Sequence, residues 1–383
     1  MSESSRERKD CHMIYADNAA TTRLDTDAFE AMRLFLLEEY GNASQPYAFS
    51  RNVKKALRDA RSTIASCIGA LAEEIYFTSG GTESDNWAIK GLMRPGDTRQ
   101  ILTSQIEHHA VLNACLSIER MGFPVRRLPV NREGIVESGA FQTSISDQIK
   151  LVSVMLANNE IGTVEPVSAL AEIAHQHGAL FHTDAVQAVG HIPVDVKALG
   201  VDLLSASGHK FNGPKGVGFL YIKKGTEIQP YADGGGQEFG MRAGTENIAS
   251  IVAMACALRK NCNRMIRISE RLFRMEHTFV HALNQAGVDY IRNGADNHIP
   301  GNINISIRDV SGESLLHRLD LKGICISTGS ACDSVNTQVS HVIQAIGIPE
   351  EYARGTIRVS FGTDNAEADA FEVATALIEI LRK

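Results

Sequence analysis

The sequence predicts an α/β protein with a large domain on a mostly parallel sheet and a smaller α+β domain after it. From residue 13 to about residue 255, short apolar runs alternate with amphipathic stretches, as in parallel sheets covered by helices on both faces. A long helical stretch, Ile248–Glu276, then leads into a different order of elements. The 383 residues, 44% of them hydrophobic, supply enough apolar surface for both cores.

The strands predicted for the large domain are short apolar runs. They are Glu74–Thr78, Gln100–Thr103, Lys150–Leu156, Ala179–Thr183, Leu203–Ala206 and Val217–Ile222. The predicted helices are Asp27–Glu39, Val53–Ile68, Thr82–Met93, Ala110–Met121 and Val167–His177. In Val53–Ile68, apolar residues recur at steps of three and four positions, which favours a helix with one buried face.

The second domain is predicted from the change of pattern after Ile248–Glu276. Its elements are strand Gly301–Ile307, helix Ser314–Lys322, helix His341–Ala345, strand Ile357–Phe361 and helix Ala366–Leu381. We therefore expect a large domain over residues 13–255 and a small domain over residues 256–383, with the N-terminal segment joining the small one.

Charge and hydropathy exclude several classes of protein. Lys and Arg number 38 against 45 Asp and Glu, and the net charge of −7 argues against binding to nucleic acid. No apolar run approaches the ~20 residues that span a membrane. The polar start MSESSRERKD, a predicted disordered leader, lacks the apolar core of a signal peptide. We therefore expect a cytoplasmic protein with no membrane contact.

The seven cysteines do not follow the spacing of a disulfide framework or a zinc site. Their number is odd, their spacings are irregular and no CxxC motif occurs. The adjacent His108 and His109 do not share a helix face, so they predict no metal site either. The sequence thus predicts free thiols and no bound metal.

The most informative segment follows the apolar strand Val201–Leu204 and reads SASGHKFNGPKGVG from Ser205. A lysine at a strand end between small polar residues can be partly desolvated, which lowers its pKa and leaves an amine able to form a Schiff base. Lys210 has this setting, whereas Lys215 lies in a Pro-Lys-Gly turn and is predicted to be solvated. A surface lysine in a turn is the simpler alternative.

Two further strand ends carry candidate ligands for a charged cofactor. TSGGTES, from Thr78, places glycines where a strand meets a helix, and the amides and helix dipole there favour a phosphate. It is neither a Walker motif nor a dinucleotide motif. Asp184 ends its strand at the edge where α/β sheets bind ligands, and a protonated ring nitrogen would suit this carboxylate. A helix N-cap is the structural alternative for Asp184.

Three more polar segments lie at strand ends or in loops. His108, in QIEHHA, is suited to stack on a flat cofactor and to act as an acid or base. ANNEIGT, which contains Asn159, places polar groups after a strand. The glycine-rich stretch Gly234–Asn247 carries Arg242 and Thr245, and the sequence shows no local partner that would order it.

Cys332 and Arg358 are candidates for chemistry on the substrate. Cys332 lies in STGSAC ahead of a polar stretch, so its thiol is predicted to be exposed on a flexible loop, unlike Cys325 in an apolar run. An incidental exposed cysteine is the alternative. In TIRVSF, alternation places Thr356, Arg358 and Ser360 on one face, where Arg358 meets a polar cavity or solvent and can clamp a carboxylate.

Together, these candidates indicate a pyridoxal phosphate enzyme. They are a lysine, a phosphate-binding turn, an aspartate at a strand end and a carboxylate-binding arginine. From DNAATT at Asp17 onward, the chain resembles the NifS/IscS-type cysteine desulfurases of aminotransferase class V, which have fold type I. The motifs that carry the resemblance are TSGGTES, EHHA, NNEIG, DAVQ, SGHK, GGGQEFGMRAGTEN, STGSAC and IRVSFG, in that order. The resemblance implies a seven-stranded-type, mostly parallel sheet and pyridoxal 5′-phosphate as the cofactor.

The resemblance also implies a role for each candidate residue. Lys210 holds the cofactor covalently and moves the Cα proton, Cys332 is the nucleophile, and His108 stacks on the ring as an acid or base. The other implied cofactor contacts are Asp184 to the pyridinium nitrogen, Gln187 to the phenolic oxygen, Gly81, Thr82, Ser207 and His209 to the phosphate, and Thr245 to the phosphate of the neighbouring subunit. Asn159, which also contacts the cofactor, and Arg358 take the substrate carboxylate.

The implied reaction converts L-cysteine to L-alanine in a homodimer. The Cys332 thiolate attacks the substrate sulfur and becomes a persulfide, which passes to an acceptor protein, an iron–sulfur scaffold being one candidate. The alternatives are a selenocysteine lyase or cystine β-lyase of the same fold, and a degenerate homologue that only binds partners. STGSAC argues against a simple β-lyase, which needs no protein thiol, and the complete set of candidates argues against a degenerate homologue.

Overall fold

The computed structural model of the chain describes residues 13–94, 96–328 and 339–382. Cys332 and the predicted leader lie outside these ranges. The described strands, in chain order, are β1 (Ile14–Tyr15), β2 (Ile75–Thr78), β3 (Gln100–Ser104), β4 (Val125–Leu128), β5 (Ile149–Ser153), β6 (Leu180–Asp184), β7 (Leu203–Ser207), β8 (Gly218–Ile222), β9 (Tyr290–Asn293), β10 (Asn302–Ile307), β11 (Ile324–Cys325) and β12 (Thr356–Ser360).

The strands form three sheets. The largest has seven strands in the order β2-β8-β7-β6-β5-β3-β4, and β9, β10 and β12 form an antiparallel sheet in the order β12-β10-β9. In the large sheet, β8 is antiparallel to β2 and β7, while the other neighbouring strands are parallel. Strand β1 pairs with β11. The prediction of a mostly parallel sheet followed by a different, smaller arrangement is confirmed.

The described helices connect and cover these sheets. They are α1 (Thr26–Leu37), α2 (Arg51–Cys67), α3 (Gly81–Lys90), α4 (His109–Arg120), α5 (Ser138–Ser144), α6 (Val167–Gln176), α7 (Val196–Leu199), α8 (Ile248–Gln285), α9 (Gly312–Asp320), α10 (His341–Ala345), α11 (Glu350–Ala353) and α12 (Glu367–Leu381). In α2 the predicted apolar stripe is the buried one, with Val53, Ala60 and Ile64 against the core. Helix propensity is weak alone, so this buried face stabilises the helix.

Helix α8 is longer than expected from the sequence, and several elements were not predicted, namely β1, β4, β9, β11, α5, α7 and α11. Helix α8 continues past the predicted end at Glu276, because Phe279 and Leu283 extend its buried face and the chain turns only near Gly287, at φ +69°. Strand β4 was not predicted. It lies at the edge of the sheet and exposes Arg126 and Arg127, so its four residues carry no apolar run.

Helix α8 contributes to two separate hydrophobic cores. Its first half, down to Leu258, packs with the large sheet and with helices α2 and α6. From Leu272 onward it packs with β10, β12, α9 and α12, and Ile14 of β1 joins this second core. The N-terminal strand is therefore held by the C-terminal part of the chain.

Membrane-spanning helices, metal-binding clusters and disulfides are absent from the described residues. None of their helices is long and apolar enough to cross a membrane. Across the same ranges, no group of three or more His, Cys, Asp or Glu is placed to hold a metal ion. The cysteines in these ranges are free thiols, namely Cys67, Cys115, Cys256, Cys262 and Cys325.

Candidate active site

The junction between β2 and α3 forms a cradle of backbone amides. Gly80 has φ +148°, which favours glycine, and no side chain caps the first turn of α3, which begins at Gly81 and Thr82. A Cβ on Gly81 would lie 2.6 Å from Cγ2 of Val186, and one on Gly80 would lie 3.5 Å from Oγ of Ser207. The first-turn amides, the helix dipole and the Ser207 hydroxyl thus come together in an arrangement that suits a phosphate.

The Lys210 amine lies against the N-terminal segment, just beyond the end of β7. Its Nζ donates to the carbonyl oxygens of Ala19, at 2.7 Å, and Ala20, at 2.9 Å. Nε2 of Gln187 donates to the same Ala19 oxygen at 2.9 Å. The shared carbonyl places the lysine amine and the glutamine amide side by side. Lys215, by contrast, is exposed, as its turn predicted.

Asp184 is the buried last residue of β6. Its Oδ1 accepts a hydrogen bond from the backbone N–H of Val186 at 2.9 Å, so the side chain orders the turn that follows the strand. Burial raises the pKa of Asp184, and the Val186 N–H and the Lys210 charge partly offset this rise. No helix follows directly after Asp184, so the alternative of a helix N-cap is not what the structure has.

His108 caps helix α4 and is neutral at pH 7. Its Nδ1 accepts from the backbone N–H of Ala110 at 3.1 Å, which leaves the ring hydrogen on Nε2. Burial, together with the neighbouring Lys210, His109 and His341, lowers the pKa of His108 to about 4. The ring therefore presents an N–H donor at Nε2.

Arg358 lies on the polar face of β12, as the alternation predicted, and is buried. Its Nη2 donates to Oδ1 of Asp17 at 2.7 Å, and its Nη1 donates to the carbonyl oxygen of Asn159 at 2.6 Å. Its Nε is buried and has no hydrogen-bond partner. The guanidinium is thus fixed by two hydrogen bonds and keeps three of its five N–H donors, that of Nε among them, for a further acceptor.

His209 and Thr245, both expected to bind phosphate, have different surroundings. His209 is half-buried, and its Nδ1 lies 3.0 Å from Oγ1 of Thr21. Burial, together with the charges of Lys210 and Lys215, lowers the pKa of His209 to about 4. Thr245 is exposed in the glycine-rich loop.

The glycine-rich loop, for which the sequence shows no local partner, is ordered by distant residues of its own chain. The Arg61 guanidinium forms a buried two-pronged pair with Glu238, and Glu238 also accepts from the N–H of Phe77. Arg242 pairs with Glu83 of α3 at 2.9 and 3.2 Å. Both partners lie far away in sequence, which is why the loop sequence alone does not reveal them.

Cys332 lies outside the described residues, but the chain on both sides of it adjoins the site. Ser327 exchanges backbone hydrogen bonds with Arg358, with N···O distances of 3.0 and 2.7 Å. On the other side, the ring centroid of His341 lies 4.9 Å from that of His109, next to His108 in the chain. The segment that contains Cys332 therefore starts and ends beside the site.

Several residues of the site were not assigned a role from the sequence. Asp17, Ala19 and Ala20 hold Arg358, Lys210 and Gln187 through the contacts described above. They belong to DNAATT, whose polar start was the available signal. Behind the site lie the buried Asp85, Glu107 and His182. His182 stands two residues before Asp184, hence on the same side of β6.

These groups fit pyridoxal 5′-phosphate. The uncapped first turn of α3, beside the Ser207 hydroxyl, suits the phosphate, and glycine is needed at position 81 because a Cβ there would overlap Cγ2 of Val186. The carboxyl of Asp184 suits a protonated ring nitrogen, and the adjacent Lys210 amine and Gln187 amide suit the carbonyl carbon and the phenolic oxygen of the ring. The donor set is thus complete along the whole cofactor.

Comparison with known proteins agrees with the assignment of a pyridoxal phosphate site. Residues 14–373 match the family model described as aminotransferase class-V. The chain is similar to the cysteine desulfurase IscS of Dictyoglomus turgidum, 48% identical over 375 residues that cover 96% of this chain and 95% of that protein. It is also similar to the cysteine desulfurase IscS of Methanosarcina thermophila, 43% identical over 97% of this chain and 92% of that protein.

The solved structures lead to the same family. A NifS-like protein superposes with a TM-score of 0.91 at 34% identity, covering 97% of this chain and 99% of that one. The NifS-like protein from Rickettsia africae has a TM-score of 0.86 at 30% identity, with 97% and 100% covered. The chain therefore belongs to the aminotransferase class-V family, in its cysteine desulfurase branch, and has the pyridoxal phosphate-dependent fold of NifS-like enzymes.

Proposed function

We propose that the chain works as a cysteine desulfurase that takes the sulfur of L-cysteine onto Cys332, releases L-alanine and passes the sulfur to an acceptor protein. The observation that carries the proposal is the convergence of Lys210 and Arg358 on the N-terminal segment, through Ala19 and Asp17. An amine for the cofactor and a guanidinium for a carboxylate thus occupy one site, which is what an amino-acid substrate needs.

In this proposal, the cofactor is held along its whole length by this chain's own residues. Gly81, Thr82, Ser207 and His209 bind the phosphate, Asp184 binds the ring nitrogen and Gln187 binds the phenolic oxygen. When bound, pyridoxal phosphate draws electrons from the substrate Cα and so weakens the Cα–H bond. Nζ of Lys210 takes the released proton, and Nε2 of His108 donates a hydrogen bond beside it.

The substrate carboxylate binds between Arg358 and Asn159. Because Asp17 and the Asn159 carbonyl already fix both terminal nitrogens of Arg358, the guanidinium is preorganised and its buried Nε supplies the donor. Asn159 lies in the loop after β5, and in this proposal its side chain contacts the same carboxylate.

Replacing Arg358 by lysine should raise KM for cysteine by roughly 10–100-fold, because a lysine lacks the planar group that both holds Asp17 and presents Nε. Steady-state kinetics with alanine as the measured product checks this result. Arg271 is the matched control, since it also has a buried Nε without a partner but bonds to the carbonyls of Gly362 and Thr363. Arg271→Lys should leave KM within about twofold, and an equal change in both variants would contradict the assignment.

The sulfur step needs a thiolate that reaches the substrate sulfur. The Cys332 thiolate attacks this sulfur and forms an S–S bond while the C–S bond breaks. The electron pair of the C–S bond goes to the substrate carbon, which takes up a proton on the way to alanine, and the sulfur stays on Cys332 as a persulfide. The proposal is supported by the two anchored flanks, Ser327 beside Arg358 and His341 beside His109. The acceptor is a protein thiol that collects the outer sulfur, on an iron–sulfur scaffold or another carrier.

We further propose that the active assembly is a homodimer. Helix α1 and the segment after it expose large apolar side chains, namely Phe29, Leu36, Leu37, Tyr40 and Phe49. An exposed apolar surface of this kind is typical of a subunit interface. In this assembly the exposed Thr245 completes the phosphate site of the neighbouring subunit.

Light scattering should give twice the chain mass of 41.6 kDa for the wild type. Leu37→Glu should shift the protein toward the monomer and weaken cofactor retention, because it places a charge in the apolar surface. Leu321, which is 87% exposed and not part of that surface, is the matched control, and Leu321→Glu should leave the mass unchanged. An active wild-type monomer would refute the dimer.

The domain division is also a proposal. Residues 13–255 form the cofactor-binding domain, and residues 256–383, joined by the N-terminal segment, form the small domain that carries Cys332. The two hydrophobic cores that meet in α8, and the pairing of β1 with β11, support this division.

The test of the function is incubation of the cofactor-loaded protein with L-cysteine and a reducing thiol. Alanine and sulfide should appear in equal amounts, because the thiol releases the outer sulfur of the persulfide. Pyruvate and ammonia in place of alanine would show a β-lyase, and product from selenocysteine alone would show a selenocysteine lyase.

A further inference from the structure

Three buried carboxyl groups lie together behind the cofactor site, and two of them have no role in the reaction described above. Asp184 ends β6, Asp85 lies in α3, and Glu107 lies between β3 and α4. The exposed fraction is 1% for Asp85 and 0% for Glu107. Lys210 is the cation that acts on Asp184 in this cluster. One positive charge cannot balance three ionised carboxylates in a buried place.

His182 of β6 lies beside Asp85 and supplies no positive charge. Its Nδ1 lies 2.8 Å from Oγ of Ser153, the residue paired with it on β5, and its Nε2 lies 3.0 Å from Oγ of Ser205 on β7. The ring is fully buried, and burial lowers the pKa of His182 to about 3. The imidazole is therefore neutral and held by two hydroxyls.

The carboxyl of Asp85 faces the neutral His182 ring. Its Oδ1 lies 3.6 Å from Nε2 of His182, beyond hydrogen-bond distance, and has no hydrogen-bond partner although it is buried. An ionised oxygen without a donor in such a place is strongly unfavourable, whereas a protonated acid needs fewer donors and supplies one itself. The Ser205 hydroxyl is hydrogen-bonded to the same carboxyl.

The charges around Asp85 also favour its protonated form. Burial and the neighbouring carboxyls of Asp184 and Glu107 raise the pKa of Asp85 well above its usual range, and the Ser205 hydrogen bond opposes this only in part. Burial raises the pKa of Glu107 to about 8, although Ser104 and the N–H of Met155 donate to it.

We propose that Asp85 is a positioning residue that holds a proton as a neutral carboxylic acid over Ser205 and His182, and so leaves Asp184 as the ionised carboxylate that faces the ring nitrogen. This inference rests on the proposed role of Asp184. An ionised Asp85 would repel the charge of Asp184 and favour its protonation, which would release its hold on the ring. The proton on Asp85 removes this repulsion.

The decisive variant is Asp85→Asn, which keeps the shape and the neutral state of the protonated acid. Infrared difference spectra of wild type minus variant, for the apo and the cofactor-loaded protein at pH 7, should show the C=O stretch of a protonated carboxyl. The pH midpoint of the cofactor's visible absorbance should move by less than about half a unit. An ionised Asp85 would instead give no such band, and its removal would move the midpoint by about 1–3 units.

Two further variants separate a charge effect from a structural one. Asp85→Ala should weaken cofactor binding by about tenfold, because Ser205 loses one of its two partners, and Asp85→Asn should restore it. Glu165→Gln is the control, since Glu165 is also a buried carboxyl with an unpartnered oxygen but binds Val136 instead. It should change neither the midpoint nor the affinity.

The same experiments distinguish this inference from the role of Asp184. Asp184→Asn should weaken cofactor binding whatever the state of Asp85. If it leaves the affinity unchanged, the assignment of Asp184 fails while the infrared result still reports on Asp85. Absence of the carboxylic-acid band, or a midpoint shift of a unit or more in Asp85→Asn, overturns the inference even if the enzyme is an active desulfurase.

Discussion

Cys332→Ala is expected to stay yellow, to change its absorbance when cysteine is added, and to release almost no alanine. Cofactor contacts are made by residues of other segments, so removal of one sulfur leaves binding intact. The C–S bond nevertheless fails to break because the thiol that accepts the sulfur is gone. Loss of a covalent nucleophile costs at least about a thousandfold in rate.

The measurements are alanine release and the intact mass of the protein after reaction with cysteine. Wild type should gain the mass of one sulfur atom, and Cys332→Ala should not. Cys325→Ala is the matched control, because Cys325 lies in β11 against Tyr15 and is not part of the sulfur path. It should retain both alanine release and the persulfide. Near-normal alanine release by Cys332→Ala would replace the desulfurase by a lyase in which the cofactor alone expels sulfur.

Lys210→Ala is expected to lose the covalent attachment of the cofactor together with activity. The Nζ of Lys210 is held by the carbonyls of Ala19 and Ala20, next to Gln187, so no other amine replaces it there. In the proposed mechanism, the variant loses both the attachment point and the group that moves the Cα proton. We expect activity to fall by about a thousandfold or more, as for loss of a general base and a nucleophile together.

Borohydride reduction followed by peptide mapping measures the attachment directly. In the wild type the label should lie on Lys210, and Lys210→Ala should carry none. Lys215→Ala is the control, because Lys215 is exposed in the turn five residues later, and it should retain label and activity. A label on Lys215 would show that the wrong lysine of the motif was assigned.

Much of the site was predictable because it lies where parallel strands end. Asp184 and Ser207 are the last residues of β6 and β7, and Lys210 follows directly. The carboxyl ends of neighbouring parallel strands meet at one edge, so polar groups placed there in the sequence converge in space. The exposed Lys215 and the half-buried Lys210 also follow from their immediate neighbours.

Other features were not predicted from the sequence because they depend on residues elsewhere in the chain. The loop that carries Thr245 is ordered by Arg61, 177 residues away from Glu238. Strand β4 has no apolar pattern of its own and pairs only with β3. Helix α8 runs past its predicted end because the second core continues along it.

The sequence by itself determined the α/β class, the order of the motifs and the family of the enzyme, since periodicity and strand-end residues are local properties. The tertiary structure decided what each charged group faces. Arg358 is held by Asp17, 341 residues away, and Asp85 meets His182 across the interface of a helix and a sheet. The physical reason is that protonation and donor capacity depend on burial and on neighbouring charges, and both are set by contacts between distant parts of the chain.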